Sequence, residues 1–341
     1  MKKIMFKSLL IIVVAFGFNG CNNETLKSSD RKLGDVVICS QDMYDDGNIE
    51  QIAQCINLKR KGYADIALIS ITGKDFFNKQ GQLIKAVENY FNIDIPIAIE
   101  TNSEGRIAPI WEVGNNRRLD RLDNRYSGRL SIDEFTKDRL LDTQRVPSAL
   151  QMCKVFKDAD SVTYVSGGHL TDLADAIELC KEEIEKKLKY VIASHGLKNK
   201  TQNKPETNFS FGGNKRIVNA TKKVFGLKNT KIILPNPLSY GNTNICNIGN
   251  YYLKHERGSI MDYAMAIRSY KSYPPDIHDF DVFGYVASNY NNNYGTLKKT
   301  CFAVLDDGSV NEVKGECNHY WLDIKYTTPM LCDLALKLLK K

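Results

Sequence analysis

VVICSQDMYDDG, residues 36–47, is the stretch that decides the fold. A short β-branched run, Val36 to Cys39, gives way abruptly to polar residues. Three carboxylates, Asp42, Asp45 and Asp46, then fall within five positions. A buried strand that ends in acids is the layout of an open parallel sheet, where loops and helix amino termini converge beyond the carboxyl ends of the strands. Self-repulsion disfavours such an acidic density unless a cation or solvent answers it. Hard oxygen donors select calcium or magnesium over zinc. The same residues also suit a solvated turn, or an Asp46 cap on a helix starting near Asn48.

Working outward, short β-branched runs alternate with longer amphipathic segments, the pattern of strands joined by crossover helices. Strands are expected over 36–40, 66–71, 95–100, 161–166, 190–194 and 231–235. Helices are expected over 49–59, 80–90, 148–156, 172–188 and 215–225, each with apolar residues at three- and four-residue spacing. The fold class that follows is α/β: a doubly wound, mostly parallel sheet flanked by helices, in a single domain spanning 34–341. Residues 105–129, rich in Gly, Asn and Arg, read as a long loop over the sheet edge. Helical and strand-like segments from 260 to 305 complete the domain. The lysines of 181–189, interleaved with Glu182, Glu183 and Glu185, read as a solvated helix face.

The amino terminus suggests a compartment. Lys2, Lys3 and Lys7 flank an apolar run from Leu9 to Phe18, too short to span a bilayer, and Asn19-Gly20-Cys21 follows. Residues 1–20 therefore read as a lipoprotein signal peptide. Cys21 reads as the lipidated residue and 21–33 as a polar tether to a bacterial cell envelope. The formal charge of +7 drops to about +4 when those three lysines are subtracted, too mild to argue for nucleic acid. Membrane contact is expected through the lipid anchor only, and homo-oligomerisation is left open. Eight further cysteines form an even set, and export permits disulfides. Most of them lie in apolar stretches, where a free cysteine packs as a small hydrophobe, so bridged and free states both stay open. No GxGxxG, Walker, GxSxG or HExxH motif occurs, which excludes redox, nucleotide-driven, serine-hydrolase and zincin readings.

Five blocks, in order over residues 35–326, resemble the calcium-dependent nucleoside hydrolase family, the inosine-uridine-preferring type and its relatives. They are Ser40 to Asp46; Ile66 to Asp75; Val165 to Ala174, similar to the family's Gly-Pro-Leu-Thr-Asn-Leu-Ala; Glu206-Thr207-Asn208-Phe209 with Gly213-Asn214-Lys215; and His278-Asp279. The resemblance implies calcium held by Asp42, Asp46, Asp279 and the backbone carbonyl of Thr171. Asp42 would take a proton from the attacking water, and His278 would protonate the leaving base. Asp45, Glu206 and Asn208 would hold ribose hydroxyls, and Asp75 stands nearest to a ribose-contacting asparagine. The implied activity is hydrolysis of the N-glycosidic bond of a nucleoside or related riboside. That reaction builds positive charge on the sugar, which surrounding carboxylates stabilise.

This chain departs from the family pattern at several positions. Ser40 stands where the family has its first aspartate, the acidic turn is shortened, His169 replaces a proline, and Asp172 replaces an asparagine. These departures keep an alternative open: a lipoprotein of the same fold that binds a nucleoside or sugar with impaired catalysis. His278 and Glu206 also suit ordinary surface or loop roles, and His195 suits a strand-end turn. Thr171 and Asp172 are good helix-capping types. Tyr251, Tyr252, Tyr263, Tyr270 and Tyr273 suit either a base-stacking pocket or packing.

Overall fold

The computed structural model describes residues 36–42, 49–72, 79–100, 147–193, 214–235, 248–262, 280–289, 295–325 and 327–341. The segments expected as signal peptide, lipidated Cys21 and tether, and as the 105–129 loop, lie outside them. The elements run β1 (Val36–Asp42), α1 (Ile49–Arg60), β2 (Ile66–Thr72), α2 (Lys79–Phe91), β3 (Ile97–Ile99), α3 (Ser148–Asp158), β4 (Val162–Ser166), α4 (Thr171–Leu179), α5 (Lys181–Lys187) and β5 (Leu188–Ala193). They continue with α6 (Lys215–Phe225), β6 (Lys231–Pro235), α7 (Ile248–His255), α8 (Phe280–Asn289), β7 (Gly295–Val304), β8 (Val310–Val313), β9 (His319–Ile324) and α9 (Thr328–Leu339). Among the described residues, no helix is long and apolar enough to cross a membrane.

The nine strands form one sheet in the order β3-β2-β1-β4-β5-β6-β9-β7-β8. β3 through β6 and then β9 are mutually parallel, while β7 runs antiparallel to both β9 and the edge strand β8. The order reverses direction between β1 and β4, so the crossover helices divide between two faces. One apolar core packs α1, α2, α8 and α9 on one side of the sheet. The other packs α3, α4 and α6 on the opposite side. This is the doubly wound, mostly parallel, single-domain α/β architecture expected from the alternating pattern.

Three boundaries differ from expectation. β1 continues two residues past the expected 36–40, because Gln41 and Asp42 still pair with Ile71 and Thr72 in the parallel ladder. β3 is limited to three residues, with Pro96, which has no N–H to donate, immediately before it. The helix expected over 172–188 is two helices broken at Cys180, whose backbone sits at φ −143°, ψ 53°. Cys180 is bonded to Cys153 of α3, and Leu188 already begins β5 as a buried residue. The carboxyl-terminal β7–β8–β9 unit extends the sheet beyond what the buried apolar runs indicated. Most of β7 faces solvent, so it lacks their signature.

The cysteine question resolves toward bridges. Cys39 pairs with Cys55, Cys153 with Cys180 and Cys301 with Cys317, and Cys332 is bridged as well. The lysine-rich helix α5 is exposed around a single buried Ile184, as a solvated face should be. Tyr252 is fully buried and donates its hydroxyl to the Leu339 carbonyl. Tyr251 packs edge-on against Tyr252, under Lys340. These two tyrosines therefore help fasten the carboxyl-terminal helix. Tyr263, Tyr270 and Tyr273 lie outside the described residues.

Candidate functional site

In open sheets of this kind, ligands bind where the strand order reverses, beyond the carboxyl ends of the two diverging strands. Here that point lies between β1 and β4. β1 ends at Asp42, which is half-buried and pairs in register with Thr72 at the end of β2. β4 ends at Ser166, opposite Ser40, and Gly167 extends the ladder by donating its N–H to the Ser40 carbonyl at 2.9 Å. The 166–172 turn therefore lies against the end of β1 at Asp42, at the point where such sheets place a ligand.

The turn lies so close to β1 that its glycines are required. A Cβ on Gly167 would fall 2.1 Å from Gln41 Oε1. One on Gly168 would fall 2.2 Å from Thr72 Oγ1 and 2.7 Å from the Asp42 backbone nitrogen. Ser166 Oγ donates to the Gly168 carbonyl at 3.0 Å and receives the Gly168 N–H at 3.2 Å, closing the turn. α4 then starts at Thr171.

Neither Thr171 nor Asp172 is the amino-terminal cap that residue type suggested. The cap position is Leu170, with no side-chain bond, and both residues lie inside the first turn. Thr171 Oγ1 is buried without a hydrogen-bond partner among the described residues, and so is Thr72 Oγ1. Asp172 is fully buried and its carboxylate is saturated. Oδ2 accepts from Ser40 at 2.8 Å and Ser70 at 2.6 Å; Oδ1 accepts from Tyr164 at 2.6 Å and the Leu173 N–H at 2.7 Å. Four donors occupy about four lone-pair sites, leaving none for a ligand. Burial pushes its pKa up to about 6 against the pull of those donors, with the charge of Glu100 adding to the rise. Burial and the neighbouring carboxylate together push the Tyr164 hydroxyl far up. Sequence reasoning missed this hub because its partners Ser40 and Ser70 lie 132 and 102 residues away along the chain.

Other blocks reach the described structure only in part. Of the fourth, Asn214 caps α6, its Oδ1 accepting from the Arg216 and Ile217 N–H groups at 3.0 and 3.4 Å. Arg216 then pairs with Glu100 at 2.6 Å and Asp175 at 2.8 Å, neutralising one acid just after β3 and one in the middle of α4. Of the fifth, α8 begins one residue after Asp279. Asp45, Asp46, Asp75, Glu206, Asn208, His195, His278 and Asp279 lie outside the described residues, so of the metal set only Asp42 and Thr171 are placed. Among the described residues, no group of three or more His, Cys, Asp or Glu side chains converges as a metal site. The Asp42 carboxylate and Thr171 carbonyl are hard oxygens of the kind calcium takes, and the buried hydroxyls of Thr72 and Thr171, which have no hydrogen-bond partner among the described residues, suit its waters.

No protein-family model matches the chain, and no curated protein matches it in sequence. Solved structures match it in shape. An inosine-uridine preferring nucleoside hydrolase from Bacillus anthracis superposes with a TM-score of 0.65 at 15% identity, over 89% of this chain and 99% of that one. A purine-preferring ribonucleoside hydrolase from Gardnerella vaginalis gives 0.63 at 12% identity, over 89% and 98%. The type III effector XopQ, complexed with adenosine diphosphate ribose, gives 0.56 at 10% identity, over 92% and 96%. Likeness at such identities is likeness of fold, and the chain therefore has the nucleoside-hydrolase-like α/β fold over most of its length.

Proposed function

We propose that this chain hydrolyses the N-glycosidic bond of a nucleoside or related riboside with the help of one calcium ion, at the crevice between β1 and β4. The observation that carries the reading is the position of Asp42 and Thr171. Asp42 ends β1, and Thr171 opens the helix just beyond β4, on either side of the reversal of the sheet, in a fold shared with nucleoside hydrolases. Asp42, Asp46, Asp279 and the Thr171 carbonyl would hold the ion, which when bound polarises water and sugar hydroxyls. Asp42 accepts a proton from the attacking water. His278 donates one to the departing base, so the two proton tasks fall to separate groups. Asp45, Glu206 and Asn208 hold the ribose hydroxyls, with Asp75 beside them, and their charge stabilises the cationic sugar as the bond breaks.

A second reading, a binding lipoprotein with impaired catalysis, is favoured by Ser40 in place of the family's first aspartate. One experiment separates the two: calcium-dependent release of free base from a panel of nucleosides by the wild type, Asp46→Ala and Asp279→Ala. Both variants should lose calcium binding and turnover together, and full activity in either refutes the site. Nucleoside binding by the wild type without turnover establishes the second reading. The compartment proposed is the bacterial cell envelope, reached through acylated Cys21, and the bridged cysteines support an oxidising location. Cys21→Ser should release the protein from the membrane fraction.

A further inference from the structure

The two least expected residues of the site, Ser40 and Asp172, touch each other. The Ser40 hydroxyl donates to Asp172 Oδ2 at 2.8 Å, and both residues are fully buried. Ser40 stands where the family pattern has an aspartate, and Asp172 where it has an asparagine. The pair is thus a carboxylate and a neutral partner in either arrangement, with the charge on the strand in one and on the helix in the other. From the helix, the Asp172 carboxylate gathers donors from β1, β2 and β4, and Ser70 passes the network on to Ser148 of α3 at 2.9 Å. Its neighbours along the chain and through Ser40 are Thr171 and, two residues on, Asp42.

We infer that Asp172 is a positioning residue: its carboxylate, relocated from β1 to α4 by a reciprocal exchange with Ser40, fixes the ends of β1 and α4 so that Asp42 and Thr171 face one ligand. The inference rests on the reading of Asp42 and Thr171 given above. It does not require Asp172 to touch substrate or ion. The arrangement predicts a specific asymmetry. Asp172→Asn keeps the volume and can still accept from Tyr164 and Leu173, but it turns one accepting oxygen into a donor facing Ser40 and Ser70. Ser40→Asp alone sets two buried carboxylates against each other. Ser40→Asp with Asp172→Asn restores one carboxylate and one neutral partner.

The test uses the wild type and these three variants of the full chain, with calcium affinity measured by calorimetry and the midpoint by thermal melting without calcium. Asp172→Asn should weaken calcium binding by about 10–100-fold, as the loss of a group that orients ligands does. Ser40→Asp should melt lowest of the four. The double variant should melt above Ser40→Asp and bind calcium more tightly than either single variant. Any overpacking from the added carboxyl affects Ser40→Asp and the double variant alike, so their comparison removes it. Wild-type calcium affinity in Asp172→Asn, or a double variant no better than Ser40→Asp, overturns the inference. If the wild type binds no calcium, the metal reading fails. The exchange is then judged by melting alone, supported by a double variant above Ser40→Asp and overturned by one at or below it.

Discussion

Gly168→Ala is the sharpest test of how the crevice is built. The new Cβ would lie 2.2 Å from Thr72 Oγ1, 2.7 Å from the Asp42 backbone nitrogen and 3.0 Å from the Gln41 carbonyl carbon. The Thr72 hydroxyl can rotate away, but the backbone atoms belong to a strand paired on both sides and cannot. Restoring an ordinary contact of 3.4 Å to the Asp42 nitrogen requires a displacement of about 0.7 Å between the turn and β1. Overpacking of this kind costs about 1–3 kcal/mol. At about 2 kcal/mol the melting midpoint of a chain this size should fall by roughly 3 °C. The same displacement separates Asp42 from Thr171, so any calcium affinity should drop with it. Gly226→Ala is the control: Gly226 has φ −78°, and its nearest foreign atoms stand 3.3 and 3.4 Å from a new Cβ, so that change should stay within about 0.5 kcal/mol. Adding Thr72→Ala to Gly168→Ala removes the side-chain clash alone and should restore only part of the loss. The reasoning fails if Gly168→Ala melts with the wild type, or if Thr72→Ala restores it completely.

Other expectations concern the surroundings of the crevice. The Cys39–Cys55 bridge joins β1 to α1 across a separation of 16 residues and so brackets Asp42, Asp45 and Asp46. Replacing both by Ala should cost about 3 kcal/mol in chemical denaturation, and an unchanged midpoint would show that the bridge does not constrain the unfolded chain. Burial pushes the Glu88 carboxyl of α2 up to about 7, outweighing the attraction of Lys85 at 2.7 Å. An acid raised on folding binds its proton more tightly when folded. Its contribution is therefore fullest below about pH 4.5 and declines as pH rises through 7, by about 3 kcal/mol. Glu88→Gln should flatten that decline in melts across pH 4–8, and an equal slope in the variant would contradict the assignment. Thr171→Val removes a buried hydroxyl that has no partner among the described residues. Because the carbonyl is the proposed ligand, calcium affinity should stay within about twofold, whereas a tenfold loss would show that the hydroxyl is the ligand.

Much of the fold was legible in the sequence because parallel strands buried on both faces read as continuous apolar runs, and six such runs mark β1 to β6. β7 and β9 escaped the same logic. β9 interrupts its buried residues with half-buried Tyr320 and Asp323, and β7 carries Thr296 to Lys299 toward solvent. The site was legible only where chemistry sits next to a strand end. Asp42 announces itself as an acid after an apolar run. Asp172 looks like a helix cap until the fold brings Ser40, Ser70 and Tyr164 around it, because a hydrogen bond spanning more than a hundred residues leaves no local periodicity. Disulfide pairing was hidden for a different reason: the cysteines sit in apolar stretches, where free and bridged residues read alike.

Alternation along β1 explains how one strand serves two layers. Successive side chains point to opposite faces. Val37 and Cys39 enter the core beneath α1, and Ile38 enters the core beneath α3 and α4. Cys39 accordingly bonds Cys55 of α1, while Ser40, one residue on, reaches Asp172 of α4. By the same period Gln41 returns to the α1 side, where Gly167 Cβ space is occupied by Gln41 and Gln51 together. Asp42 therefore falls on the α4 side, level with the start of that helix. A one-residue slip of β1 would send Asp42 toward α1 and bury Gln41 against Asp172. The Ser40–Asp172 bond and the Cys39–Cys55 bridge, made by adjacent residues to opposite layers, each forbid that slip. The register that keeps the candidate base at the crevice is thus held from both faces of the sheet.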